Sequence, residues 1–596
     1  MKANTKSYIR LLAVMGAAMV AVTSCDDLFE PAQENISDID KMYTDADYAQ
    51  GLLANAYILM PYSSTPSSDM ATDDAVANTT SNDYYKMASG AWTSQSDPLS
   101  QWQNRYNAIQ YINIVIDRCD DVAWSTDTDI NTLFCKLFKG DCYGMRALQM
   151  FYLLRAHAGL VGGQMMGVPI LTEYQDASAD FNLPRNTFKE CIDQIMSDIS
   201  NALELLPDEY EDVSAGNVPA KYGNVSDAKY NRAFGSHQKG KICGNVLKAL
   251  RAQVALFAAS PAYAQYSGIT MADAAQYAAE VINGVTLPAN GLTWYANATE
   301  IDGLKDGYNS AETIWKDNPS ASNSLESSNF PPSLYGSGLV NPTQNLVDAF
   351  PMANGYPITD SRSGYDASKP YTDRDPRLMT YILVDGDTYG VENRTIVTGT
   401  YGTNELDRNS GINYETGAST RTGYYLKKLL RSDVNLSSSS TTTQKHYTAR
   451  IRYTEIFLDY AEAANEAAGP KTAVGGCDKS AYDVILAIRQ RAGITDNTYL
   501  DECATSQAAM RELIRNERRL ELCFEGHRFY DLRRWQVDLS KLNETTTGME
   551  ISQQNGALVY KRIDVDTRNY ASYQYYGPIP YTEVLKYDNL EQNEGW

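Results

Sequence analysis

The chain has 596 residues, 43% apolar and 21% charged, the balance of a folded globular protein rather than a disordered one. Its net charge of -23, from 74 acidic and 51 basic residues, repels phosphate backbones and argues against nucleic acid as a partner. The same field disfavours strongly anionic polysaccharides unless a local basic pocket overrides it. Tyrosine outnumbers phenylalanine 43 to 13. A tyrosine ring carries a polar handle and suits wet interfaces, so the excess points to an exposed aromatic surface.

Lys2, Lys6 and Arg10 precede an apolar core from Leu11 to Val22. That core is shorter than the ~20 apolar residues a spanning helix needs, and residues 1–24 read as a cleaved secretory signal. Val22-Thr23-Ser24-Cys25 resembles a bacterial lipoprotein cleavage box, with Thr23 where a smaller residue is usual. On that reading Cys25 becomes the lipidated N-terminus, and several acyl chains give a stable anchor. Asp26 and Asp27 resemble the acidic tag of surface-exposed lipoproteins, and residues 25–43 form a linker.

Helical periodicity begins after the linker. Thr44 and Asp47 predict a capping box ahead of a stripe at Tyr48, Leu52, Ala56 and Leu59. Trp102, Tyr106, Ile109, Asn113 and Ile116 mark a second helix, with Trp102 in its core. A third covers roughly Leu133 to His157, and Phe188 to Leu206 a fourth that Pro207 ends. Further helices are predicted over 245–259, 272–282, 451–468, 482–492 and 508–524. The pattern is all-α, with paired helices and short joins as in tetratricopeptide-like hairpin repeats. Between residues 283 and 450 Gly, Ser, Pro, Asn and Tyr dominate and no helical period persists. The chain therefore divides into an N-terminal helical scaffold (44–282), an irregular loop-rich lobe (283–450) and C-terminal helices (451–596). Long ordered loops of this kind are often functional.

The eight cysteines beyond Cys25 have no CxxC or Cys/His zinc spacing and read as buried thiols. Cys135 and Cys142, ~10.5 Å apart along one helix, are too distant to bridge each other. No nucleophile elbow, HExxH or Walker loop is present, and nothing calls for a cofactor. Asp127 to Asn131 starts like a calcium loop, but Thr132 stands at the glycine position and Phe138 at the glutamate position. Glu517, Glu521 and Glu525 step by four beside His527, as carboxylate metal ligands do in some bundles. Arg515, Arg518, Arg519 and Arg528 interleave with them, so ion pairing accounts for the run better than a metal.

Residues 514–535, IRNERRLELCFEGHRFYDLRRW, resemble the C-terminal signature of the SusD/RagB family. RYTEIFLDYAEAANEA from Arg452, AIRQRAGI from Ala487, NPTQNLVDAF from Asn341, RDPRL from Arg374 and the closing GPIP and NLEQNEGW are similar to the same family. In the N-terminal half, Met145 to Arg155 followed by GVPI from Gly167 resembles it too. The resemblance implies a non-enzymatic lipoprotein of the outer membrane with a tetratricopeptide-like scaffold, seated on a SusC-like TonB-dependent transporter. Such a protein acts as a lid that captures oligosaccharides, in some branches peptides, and delivers them inward. A surface adhesin is a more remote alternative.

The resemblance places the ligand surface in the loop before the second scaffold helix and in the irregular lobe. Sugars present apolar C–H faces ringed by hydroxyls, which suit aromatic platforms beside polar groups. The candidates are Asp73, Asp74, Tyr84, Tyr85 and Trp92 in the loop and Trp294, Tyr295 and Tyr335 in the lobe. Trp92 in particular, within a Ser- and Asp-rich stretch, is expected to be exposed for binding.

Overall fold

The computed structural model describes residues 39–176, 178–402, 405–408 and 419–596. The signal segment and Cys25 lie outside the described residues. Eight helices build the scaffold: α1 (Ala46–Ile58), α2 (Trp102–Arg118), α3 (Thr128–His157), α4 (Phe188–Leu205), α5 (Gly244–Ala259), α6 (Met271–Ile282), α7 (Tyr453–Ala468) and α8 (Ala481–Ala492). Each packs against the next, α1 on α2 through to α7 on α8, so the chain stacks antiparallel hairpins around one continuous core. The all-helical, tetratricopeptide-like scaffold expected from periodicity is the observed one. No helix among the described residues is long and apolar enough to cross a membrane.

Local chemistry explains the boundaries. α1 is capped by Asp45, whose carboxylate accepts from the Tyr48 amide; Thr44, the expected cap, donates to the Lys41 carbonyl instead. Asp127, the opening residue of the rejected calcium loop, is the N-cap of α3 and accepts from the Asp129 and Ile130 amides. Thr187 and Glu190 form a reciprocal capping box at the start of α4. α7 begins two residues later than the periodicity predicts, because Ile451 and Arg452 belong to a strand.

The irregular lobe has its own apolar cluster, centred on Trp294, Phe330, Leu346, Phe350, Tyr381 and Tyr425. Met70 and Ala75 join it from the scaffold side, and Leu520 and Phe524 from the signature helix α9 (Gln507–Glu521). Four short strands stitch lobe to scaffold: β1 (Ala75–Ala77) pairs antiparallel with β3 (Val340–Pro342), and β2 (Thr313–Lys316) with β4 (Ala449–Arg452). A third cluster forms where the 83–100 loop meets α10 (Arg528–Arg534). The C-terminal region also holds a long hairpin, β5 (Thr546–Gln554) and β6 (Ala557–Asp566), which the helical reading of 451–596 does not contain. Asn555 and Gly556 turn it, both with positive φ (50° and 83°), as a two-residue hairpin loop requires.

Candidate functional site

A cavity of about 300 Å³ opens between the C-terminal end of α3, the loop after α1, β4 and the segment joining α9 to α10. α3 delivers Tyr152 and Arg155 from its last two turns, and the loop after α1 delivers Tyr62. β4 delivers Arg450 by a β-bulge. Ala449 pairs with Lys316 and Ile451 with Trp315, so Arg450 is the extra residue between consecutive pairs. A bulge re-aims the side chain that it inserts.

Aromatic rings dominate the walls. Tyr62 meets Tyr152 and Trp315 edge to face at 5.5 and 5.8 Å. Across the cleft, Trp294 lies against Tyr447 with ring centroids 5.5 Å apart. Two guanidiniums lie on these faces. Arg155 is held between Tyr152 and Tyr530, 4.3 and 4.0 Å from the ring centroids, and Arg450 lies 4.7 Å from that of Trp315. Stacking of this kind fixes a guanidinium plane and leaves its edge free to donate.

The acids lining the cleft are held by neighbours. Glu525 pairs with Lys428 and Arg452 at 2.7 Å, and Asp531 with Arg518 and Arg534 at 2.8 Å. Glu455 accepts from Gln253 at 2.6 Å; burial, with Asp459 close by, pushes its carboxyl up to about 8. His527 lies 3.9 Å from Glu455, and burial, reinforced by Arg518, lowers its imidazole to about 3. The cleft thus combines aromatic faces, hydrogen-bonding groups and two stacked cations.

Three of the predicted ligand residues line this cavity. Tyr84 is half-buried, with its hydroxyl on the Pro98 carbonyl, and Trp294 and Tyr295 contribute from the lobe. The other five lie elsewhere. Asp73 and Asp74 are fully enclosed: Asp73 pairs with Arg519, Arg528 and Lys541 at 3.0, 2.9 and 2.9 Å, and Asp74 with Arg519 at 2.6 Å. Burial opposes the charge of Asp73, but these three cations hold its carboxyl well below the usual range. Both carboxylates are buried and ion-paired within the fold, away from the cavity. Trp92, expected to be exposed, is 3% exposed. Its ring joins Leu99, Phe529 and Tyr570 in the third cluster, and its indole N–H donates to Asp97 at 2.9 Å. Of the polar residues around Trp92 in sequence, Asp97 serves its indole N–H, while Phe529, Tyr570 and Trp596 close over its ring from far along the chain. Tyr85 carries Arg421 over its ring at 5.4 Å, and Tyr335 is 55% exposed with Arg394 above it; neither lines the cavity.

The signature carboxylates are ion-paired, though not to the arginines beside them in sequence. Glu517 pairs with Arg377 and Arg489, and Glu521 with Arg377 and Arg491. The interleaved Arg518 and Arg519 point to other faces of α9 and meet Asp459, Asp73 and Asp74. All eight described cysteines are free. Tyr62, Tyr152, Arg155, Tyr447, Arg450 and Tyr530 are the cleft residues that sequence reasoning missed. Only Tyr62, a ring in a Pro- and Ser-rich loop directly after a helix, had a local signal.

Comparison with known proteins agrees with this architecture. The family model described as SusD family matches residues 301–596, and one described as starch-binding, associating with outer membrane, matches residues 34–226. No curated protein matches the chain. Among solved structures, a SusD-like protein from Bacteroides fragilis superposes with a TM-score of 0.71 at 22% identity, covering 95% of this chain and 100% of its own. A SusD-like carbohydrate-binding protein from the same species gives 0.65 at 19% identity, covering 92% and 100%. Surface glycan-binding protein A from Bacteroides fluxus gives 0.59 at 17%, covering 93% and 100%. At these identities the structures establish the shared fold, and together the two family matches span most of the described scaffold, the lobe and the signature: the chain belongs to the SusD family.

Proposed function

We propose that this protein is a glycan-binding lipoprotein of the outer membrane, anchored at the cell surface through Cys25, that captures oligosaccharides as the lid of a SusC-like TonB-dependent transporter. The observation that carries the reading is the cleft: tyrosine and tryptophan faces arranged around hydrogen-bonding groups, the chemistry that stacks on sugar rings and satisfies their hydroxyls. The family description as starch-binding and associating with the outer membrane, and the carbohydrate-binding relative of the same fold, support it. In this assignment residues 44–282 are the scaffold, 283–450 the lobe that closes the cleft and 451–596 the C-terminal helices with the signature. The protein binds its ligand without transforming it; Glu525 and Asp531 are committed to arginine and lysine partners.

Affinity gel electrophoresis of the mature protein against a polysaccharide panel and a peptide mixture tests the binding half. Retardation by at least one polysaccharide, and none by peptides, is the expected result; peptide binding alone moves the protein to a peptide-capturing lid. Mild-detergent purification from its native membrane tests the lid half, where a large β-barrel partner is expected. A solitary particle, with the transporter expressed, overturns it.

A further inference from the structure

The cleft's two stacked guanidiniums are half-buried and differ in their partners from the buried arginines of the protein. Arg146, Arg377, Arg452, Arg489, Arg518 and Arg534 each pair with a carboxylate. Arg185, Arg374 and Arg568 instead donate to backbone carbonyls. Arg105 donates to the side-chain carbonyl of Gln149. Arg155 and Arg450 donate to no carboxylate and no carbonyl among the described residues. They rest on aromatic faces, and the Arg155 Nε atom is buried without a hydrogen-bond acceptor.

Their surroundings add no compensating charge in contact. Lys316, opposite the bulge at Arg450, is 3% exposed, and its ammonium donates to the backbone carbonyl of Asp317 at 3.0 Å rather than to a carboxylate. Burial lowers Lys316 to about 8; Asp317 opposes that shift and also favours the charged form of Arg450, while Arg450 adds to the lowering of Lys316. The Asp317 carboxylate accepts from the Thr448 amide at 2.6 Å. Near Arg155 the neighbouring acid is Glu455, which makes no ion pair with it; burial and the adjacent Asp459 push its carboxyl up. The cleft is therefore a local positive site in a chain of net charge -23.

We propose that the cleft selects an anionic saccharide, one bearing carboxylate or sulfate groups, with the anion held by the guanidinium edges of Arg450 and Arg155 while its rings stack on the tyrosines. The inference rests on the cleft being the glycan site. A planar guanidinium fixed on a ring presents parallel N–H donors that match a carboxylate or sulfate, and it is more weakly hydrated than an ammonium, which suits a half-buried site. Leaving such cations without an internal anion is costly for the folded protein alone, and a ligand anion removes that cost.

Titration calorimetry of the mature protein with four probes of similar length decides it: an oligogalacturonate, a sulfated galactan fragment, a neutral glucan fragment and an acidic peptide. An anionic saccharide is expected to bind more tightly than the neutral one, and to weaken severalfold as NaCl rises from about 20 mM to about 500 mM. The first two probes separate carboxylate from sulfate as the recognised group. Arg450→Gln is expected to reduce affinity about tenfold or more, and Arg450→Lys by less, because it keeps the charge and loses the fork. The salt dependence of the unmodified protein stands as a readout even if a variant folds poorly. Binding of the neutral fragment alone, indifferent to salt and to Arg450→Gln, overturns the proposal and leaves the glycan reading intact. Binding of the acidic peptide alone, or of no probe, overturns both.

Discussion

The indole of Trp92 meets that of Trp596 edge to face, with ring centroids 4.8 Å apart. Phe529 and Tyr570 complete the enclosure at 5.8 and 6.3 Å, and Arg533 lies 5.5 Å from the ring. Three segments distant from the 83–100 loop, namely α10, the stretch holding Tyr570 and the last residue, converge on this one side chain.

Trp92→Ala is therefore a cavity mutation and is expected to cost about 3–5 kcal/mol of folding stability. Affinity per folded molecule should remain near that of the unmodified protein, since Trp92 lies outside the main cleft. Urea unfolding together with calorimetry reads both quantities. An unchanged unfolding midpoint with lost binding would return Trp92 to the ligand surface.

Binding should instead follow Tyr62. It is half-buried in the wall of the cleft, in a loop where Ser63 and Ser64 are exposed, so its removal costs less packing than that of the enclosed Trp92. Tyr62→Ala is expected to weaken ligand binding by ~1–2 kcal/mol, about tenfold, and to lower the melting temperature by less than Trp92→Ala does. Tyr335→Ala, which removes an exposed ring outside the cleft, should change neither. A loss of affinity in the Tyr335 variant and none in the Tyr62 variant would place the site on the lobe's outer surface.

His157 sets a pH dependence. Its Nδ1 lies 2.6 Å from the Pro578 carbonyl, and its Nε2 accepts from the Gln101 amide at 3.0 Å, so the ring is neutral with its proton on Nδ1. Burial lowers its imidazole from 6.5 to about 4. Between those two values the unfolded chain binds the proton and the folded one does not, so this contribution to stability is complete above pH 6.5 and is lost as pH falls towards 4. The full shift corresponds to about 3 kcal/mol. His527 acts in the same direction, whereas Glu455, raised to about 8, removes stability as pH rises from 4.5 towards 8. Urea midpoints between about pH 4.5 and 6.5 should climb less steeply for His157→Gln than for the unmodified protein. Equal slopes in the two proteins would show that His157 does not titrate with folding.

What the sequence made legible follows from where information is local. The stripe at Trp102, Tyr106 and Ile109 repeats at helical spacing and needs no partner to be read, and it forms α2 as expected. The motif string around Arg518 is equally local, and the ion-paired state of its glutamates followed from charge balance alone. Their partners did not. Arg377 and Arg489 reach Glu517 from 140 and 28 residues away, a relation that only the packed fold defines. The site was less legible for the same reason. Arg155 reads as one more position on a helical stripe until Tyr530, far along the chain, closes over it, and Arg450 is aimed into the cleft by a bulge that no periodicity announces. The β5–β6 hairpin was readable in principle, because Asn555-Gly556 between alternating strands is a strong short-range turn signal.

The signature's electrostatics give the last prediction. Arg377 is fully buried and pairs with Asp375 at 2.7 Å, Glu517 at 2.8 Å and Glu521 at 3.0 Å. Burial opposes its charge, but the three carboxylates hold the guanidinium protonated well above its ordinary range. Removing one partner of such a cluster is more damaging than its net contribution implies, because the remaining charges stay buried without compensation. Arg377→Ala is expected to cost about 3–5 kcal/mol, and Glu517→Gln less, since Arg377 keeps Asp375 and Glu521. Because arginines already occupy these carboxylates, adding Zn²⁺ or Mn²⁺, or removing metal with EDTA, should leave the melting temperature of the unmodified protein unchanged. A rise of several degrees with either ion, reversed by EDTA and abolished by Glu517→Gln, would show instead that the signature carboxylates take a metal.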